Sequence, residues 1–190
     1  MNKKYLLAGL FVASLGSTSI ATAGAGDTYA GISLGNASSD LSGLDIDDTI
    51  GWKVFGGYAL NDVLAIEGGY TSLGDADWTL PGFALPPGVS TSIETTGFEI
   101  AAVGNFPLNS QLSLFGKVGL FAWDVEISAS SPSGSASDST TGTDVFFGFG
   151  GQYEISGNLA VRASWERYAM EDDGEDLDID FLSVSAVFGF

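Results

Sequence analysis

Acid–base and nucleophilic chemistry draws on few side-chain types, and this 190-residue chain lacks two of them: it has no His and no Cys. That removes the usual near-neutral general base and the thiol nucleophile. Carboxylates, a few cations and hydroxyls remain. Five charged residues stand within otherwise apolar or small-residue segments: Glu67, Glu99, Lys117, Arg162 and Glu166. Charges placed this way need partners of opposite sign, so the five are candidates for one internal cluster. Nothing couples these carboxylates to a nucleophile, and no enzymatic activity is expected. A second candidate is EDDGEDLDID at 171–180, where Asp172, Asp173, Glu175, Asp176 and Asp178 supply the oxygen donors that Ca²⁺ or Mg²⁺ takes. The spacing lacks the terminal Glu of the twelve-residue calcium loop. A loosely bound divalent cation therefore stands against a solvated acidic loop, and no other cofactor is expected.

The elements that must position these residues follow an N-terminal segment of a different kind. MNKKYLLAGLFVASLGSTSIATA carries Lys3 and Lys4, an apolar run from Tyr5 to Leu15 and the small-residue site Ala21-Thr22-Ala23. This pattern predicts a cleaved signal peptide over 1–23 and a mature domain over 24–190. Residues 1–23 hold two of the six basic residues and no acid, so the remainder has a net charge of −20. Nucleic acid is excluded as a partner by that charge.

Beyond residue 27 the chain alternates. Eight strands are predicted: 28–35, 49–60, 63–73, 93–106, 112–127, 143–155, 159–169 and 179–190. Their connections alternate long and short, with Asn61-Asp62, PLNSQ and SGN as the short ones and roughly 36–48, 74–92, 128–142 and 170–178 as the long ones. The segment SASSPSGSASDSTTGT within the third long connection reads as a mobile polar loop. An even number of antiparallel strands with short turns at one end and long loops at the other is the plan of a bacterial transmembrane barrel. The fold class expected is all-β, an eight-stranded antiparallel up-and-down barrel of the outer-membrane type.

Parity within the strands separates membrane from water. One parity carries Phe98, Ile100, Leu114, Val118, Leu120, Phe147, Phe149, Val161, Leu182 and Val184. The other is rich in Gly and Ser and holds the five lone charges. Small residues mixed with opposite charges suit a narrow lumen, with the apolar parity turned to lipid. The inverse arrangement, a soluble barrel with an apolar cavity, would leave the charges outside. Phe55, Phe115, Phe121 and Phe146 share the inward parity and would fill the lumen. Trp52, Tyr70 and Trp165 near one strand end, with Phe106, Tyr153, Phe188 and Phe190 near the other, fit interfacial aromatic girdles.

LAIEGGYTSLG, FGKVGLFAW and GGQYEISGNLAVRASWERY, in that order and spacing, resemble the transmembrane domain of the outer membrane protein A family. The resemblance covers 27–190. It implies a lumenal cluster of two acidic and two basic residues linked to gating of a narrow passage. Glu67 falls on one family glutamate and Arg162 on the arginine; Val103 stands where lysine is expected and Gln152 where glutamate is expected. Lys117 falls on a further basic lumenal position. The family's peptidoglycan-binding domain has no counterpart here, so the chain resembles the barrel-only relatives.

Together these readings give an integral outer-membrane barrel with a structural or surface-interaction role, and a gated ion or small-solute channel as the alternative. The expected partners are outer-membrane lipids, lipopolysaccharide and, through the C-terminal strand, the barrel-assembly machinery. A monomer is expected, with long loops outside the cell and both termini in the periplasm.

Overall fold

The computed structural model describes residues 25–40, 45–46, 48–79, 90–131, 134–172 and 175–190. The proposed signal peptide lies outside them. Strands β1 (Thr28–Asp40), β3 (Thr49–Ala59), β4 (Leu64–Thr79), β5 (Ser90–Pro107), β6 (Leu112–Ser131), β7 (Gly134–Ser156), β8 (Leu159–Asp172) and β9 (Glu175–Gly189) form one antiparallel meander. A two-residue strand, β2 (Asp45–Ile46), adds to β4. Every consecutive long strand pairs with the next, and β1 pairs with β9 from Tyr29↔Gly189 to Asp40↔Asp178, which closes the barrel. Closure satisfies the backbone without water, as a hydrocarbon surround requires.

Two of the three short turns repeat one sequence device. Leu60-Asn61-Asp62-Val63-Leu64 and Leu108-Asn109-Ser110-Gln111-Leu112 have the same pattern, and each is closed by its Asn. Asn61 Oδ1 accepts from the amides of Val63 and Leu64, and Asn109 Oδ1 from those of Gln111 and Leu112, all at 2.9 Å. An Asn side chain that mimics a backbone turn fixes where each hairpin reverses, and therefore its register. At the opposite end Gly74 takes φ +88° where the β4–β5 register shifts between Ser72 and Asp75. A side chain there would be strained and would meet Ile50 O at 2.8 Å.

Two predicted loops are strand. The ladder of β6 with β7 runs without a break from Leu112↔Tyr153 to Ser131↔Gly134, so most of 128–142 is a hairpin and not a mobile loop. Likewise β8 and β9 stay paired to Asp172↔Glu175, where 170–178 reads as a loop in the sequence. Ser, Thr and Ala tolerate extended backbone; what these stretches lack is apolar alternation. Pairing with the neighbouring strand keeps them in register.

The apolar parity is on the outside. Phe98, Ile100, Val118, Leu120, Phe149, Leu182 and Val184 are each at least half exposed. An exposed apolar belt of this kind suits a lipid surround, while the lumen holds the polar and aromatic filling.

Candidate functional site: the lumen

Ions and rings fill the lumen in layers. Toward the short-turn end lie Tyr29, Phe55, Ala65, Val103, Phe115, Ala160 and Val187. Toward the other end lie Phe121, Trp123, Phe146, Tyr168, Met170, Ile179 and Phe181, with Ala37, Leu73 and Ala101. Between them sit the charges.

All five lumenal charges predicted from the sequence are buried, and the structure brings them together with a sixth, Lys53. Arg162 Nη1 donates to Glu67 Oε1 at 2.5 Å, and Tyr29 OH donates to the same oxygen at 2.8 Å. The remaining face of the guanidinium reaches Gln152 Oε1, from Nε at 3.1 Å and Nη2 at 3.0 Å. Lys117 Nζ lies 2.5 Å from Glu166 Oε1 and 3.9 Å from Glu67 Oε2. Lys53 Nζ bridges Glu166 and Glu99, the latter at 3.0 Å. Tyr168 OH stands 3.0 Å from Glu99 Oε2 and 2.9 Å from Glu166 Oε2, and Thr71 Oγ1 donates to Glu99 at 3.1 Å. Three cations thus face three carboxylates in one network, which is the condition for keeping charge in a desolvated interior.

The rings take part electrostatically. The Arg162 guanidinium lies over Phe115 at 4.6 Å, Phe55 at 5.2 Å and Tyr29 at 5.6 Å. Lys53 lies within 5.9 Å of the Phe146, Tyr168 and Phe181 rings. Each end of the ionic layer is therefore covered by aromatic faces that attract its cations.

Room for the rings comes from glycine. Gly31 is directly opposite Phe55, Gly57 opposite Tyr29, Gly150 opposite Phe115 and Gly119 opposite Phe146. A Cβ at any of the four would lie within 2.9 Å of the facing ring. Each aromatic side chain lies flat across its neighbour strand because nothing projects there.

Lys53 was readable from the sequence, since it alternates with the outward Trp52 and Val54 and shares parity with Phe55. Val103, where the family resemblance expects lysine, is buried in the lower ring cluster, and Gln152 acts as a neutral acceptor for Arg162. The aromatic residues of the predicted girdles all lie on the outer surface or half-buried within it. Tyr70 packs between Trp52 and Phe98, and Trp165 between Phe147 and Phe149. Phe190 is half-buried, and its amide donates to Thr28 O at 2.8 Å.

The acidic candidates fall apart from this site. Asp173 lies outside the described residues, as do the side chains of Asp172, Glu175 and Asp176. Asp178 lies 3.7 Å from Arg167, which also pairs with Asp180 through Nε at 2.6 Å. Among the described residues no group of three acids is placed to hold a metal ion.

Comparison with known proteins agrees with this geometry. Outer membrane protein A of Salmonella typhi is 26% identical over 164 residues, 82% of this chain and 45% of that protein. Outer membrane protein A of Shigella flexneri is 25% identical over 121 residues, 63% of this chain and 33% of its own length. This chain thus spans less than half of the curated relatives it matches. In structure it resembles Ail, the attachment invasion locus protein of Yersinia pestis, with a TM-score of 0.61 at 19% identity over 87% of this chain and 99% of Ail. Neisserial surface protein A gives 0.60 at 16% identity, over 86% and 96% of the two chains. These similarities show the fold, an outer-membrane β-barrel. The family described as outer membrane protein beta-barrel domain matches residues 7–190, and the chain belongs to it.

Proposed function

We propose that this protein is an occluded outer-membrane barrel whose work is done at its lipid-facing and exterior surfaces and not by conduction. One observation carries the reading: the six lumenal charges are consumed by one another, between two layers of rings. An eight-stranded barrel has an interior just wide enough to be filled by side chains, and here Lys53, Glu67, Phe121, Phe146, Tyr168 and Phe181 are all at most 2% exposed. A hydrated solute entering would have to break ion pairs and displace rings together. The longer-stranded end faces the cell exterior in this reading, after export by the N-terminal signal, and lipopolysaccharide packs against the aromatic outer surface. The barrel is a monomer, inserted through recognition of β9 by the assembly machinery. Divalent cations bridge its acidic end to lipid phosphates.

A gated passage is the second reading, and Glu67 favours it. Its Oε2 accepts no hydrogen bond among the described residues and lies 3.9 Å from Lys117, so this is the loosest point of the network. Liposome swelling separates the two. Proteoliposomes that swell in small sugars or amino acids no faster than protein-free liposomes support occlusion; size-dependent swelling supports the passage.

A further inference from the structure

The outward parity of β5, β6 and β7 changes character along unbroken ladders. Ile100, Leu120 and Val145 are directly opposite one another across the three strands, and each is at least half exposed. The next outward row is Phe98, Ala122 and Thr143, where the apolar belt stops. Beyond it come Thr96, Asp124 and Thr141, then Glu94, Glu126 and Ser139, then Ser92, Ser128 and Ser137. Every side chain in these last three rows can hydrogen-bond, and none is apolar or cationic. Ser92, Thr96 and Ser128 are half-buried, and the rest are exposed.

The inward parity of β5 and β6 changes in the opposite sense. Below that row it holds Glu99 and Lys117. Above it Val125 stands opposite Thr95, and Ile127 opposite Ile93. Neither the β5–β6 nor the β6–β7 ladder has a register shift, so no bulge exchanges the faces. The strands themselves therefore go from apolar outside to polar outside. Side-chain alternation follows the surroundings of each face. What borders the outer face thus changes from hydrocarbon to a medium rich in hydrogen-bonding groups.

Length identifies that medium. Leu120 to Ser128 is about 26 Å of strand at about 3.3 Å per residue, or about 20 Å along the membrane normal at a tilt of about 40°. A headgroup layer adds only about 5–7 Å to each side of the hydrocarbon. Most of the polar face therefore stands beside whatever projects past the headgroups. In a leaflet of lipopolysaccharide, that is saccharide.

Chemistry selects the same neighbour. The rows are about 4.8 Å apart across the strands and about 6.6 Å apart along them, a flat surface of donors and acceptors. Ser128 Oγ makes only a long contact, 3.4 Å to Glu126 Oε1. An acyl chain laid here would bury these groups unpaired. A second copy presenting the same face would set acids against acids. A polyanion would find no cation to pair with, because Lys53, Lys117 and Arg162 are engaged in the lumen and Arg167 by Asp178 and Asp180. Sugar hydroxyls suit the Ser and Thr positions. Asp124, Glu94 and Glu126, nearer the belt, are at the level of the lipid phosphates and of the divalent cations proposed above.

We infer that the outward face of β5, β6 and β7 beyond Phe98, Ala122 and Thr143 is a contact surface for the saccharide of the surrounding lipopolysaccharide. Sugar lies against this face as acyl chains lie against the belt below it. The inference rests on the orientation proposed above, with the longer-stranded end outside the cell.

The chain has no Cys, so single cysteines can report on one face at a time. Ser137→Cys and Thr141→Cys sit on the outward face of β7, and Ala136→Cys and Thr140→Cys on its inward face; all four positions are exposed. The folded barrel is placed in nanodiscs carrying either lipid A alone or saccharide-bearing lipopolysaccharide on both leaflets, at equal millimolar Mg²⁺, and labelled with a small neutral maleimide. The saccharide should slow labelling at 137 and 141 about threefold or more, the scale of one net hydrogen bond, and leave 136 and 140 nearly unchanged. Replacing Ser92, Ser128 and Ser139 together by Ala in the Ser137→Cys background should restore most of the rate. Equal slowing on both faces would show crowding alone and overturn the proposal, as would no slowing at 137 and 141, or slowing that persists in the Ala variant. Because both leaflets of the discs carry the same lipid, these outcomes do not depend on orientation. Labelling of Thr140→Cys on intact cells by an impermeant maleimide tests the orientation separately: labelling from outside upholds it, and labelling only after lysis overturns it, and with it the contact in the cell.

Discussion

Gly57 on β3 is directly opposite Tyr29 on β1, and a Cβ on Gly57 would lie 2.1 Å from the carbon bearing the phenol oxygen. Its neighbour Gly56 faces the other way, where a Cβ would meet nothing closer than Tyr29 O at 3.6 Å. The two glycines thus separate lumen from lipid face within one dipeptide. Gly57→Ala should cost about 1–3 kcal/mol through overpacking, whereas Gly56→Ala should stay within about 0.5 kcal/mol. Urea unfolding in lipid vesicles, followed by the gel-mobility difference between folded and boiled protein, measures both. Equal effects would contradict the assignment of faces.

Arg162 and Glu67 pair at 2.5 Å in the lumen. Arg162→Met should destabilise by about 3–5 kcal/mol, because it leaves a buried carboxylate without its main partner. Adding Glu67→Gln should recover a substantial part of that loss, since Tyr29 can still donate to the amide oxygen. Strictly additive losses in the double variant would mean that the two side chains do not share one network.

Lys53 allows a sharper version of the same experiment. Among the described residues it is the only cation in contact with Glu99, whereas Glu166 keeps Lys117 in its absence. Glu99→Gln should therefore rescue Lys53→Met in unfolding measurements, and Glu67→Gln should not. Rescue by either variant alike would point to net lumenal charge, not to specific pairing.

Much of this lumen was legible in the sequence because a strand assigns faces by parity. Glu67, Glu99, Lys117, Arg162 and Glu166 each have an apolar neighbour on the opposite parity: Ile66, Phe98, Val118, Val161 and Trp165. Lys53 obeys the same rule between Trp52 and Val54, but its neighbours Phe55 and Gly57 give no hint of charge, so parity alone marks it. The extents of β6, β7 and β8 were not legible. On β7 residues 135–141 are exposed on both faces, and Ser-Ala-Ser-Asp-Ser carries no alternation to read. Only the register with the next strand decides that those residues continue the sheet. Nor did any local pattern show that glycines face the rings, since which residues oppose one another across strands depends on the turns at Asn61 and Asn109.

The acidity of the chain has its own consequence. With a net charge of −20 outside residues 1–23 and its four cations paired with acids, the acids of the longer-stranded end are expected to repel one another. Raising salt toward about 1 M, where the Debye length is about 3 Å, should raise the melting temperature in detergent. Millimolar Ca²⁺ at constant ionic strength should raise it further when lipopolysaccharide is present. A melting temperature indifferent to salt would show that the acids are dispersed and not crowded.

Occlusion is tested most directly by single-channel recording of the purified barrel in planar bilayers. The filled lumen predicts no steady conductance at low voltage, and the opening of a small, stable conductance when Arg162→Ala and Phe115→Ala are combined to remove a charge and the ring beneath it. A steady conductance of the unaltered protein that persists at low voltage, and that changes in Arg162→Ala alone, would contradict the account and establish a gated channel.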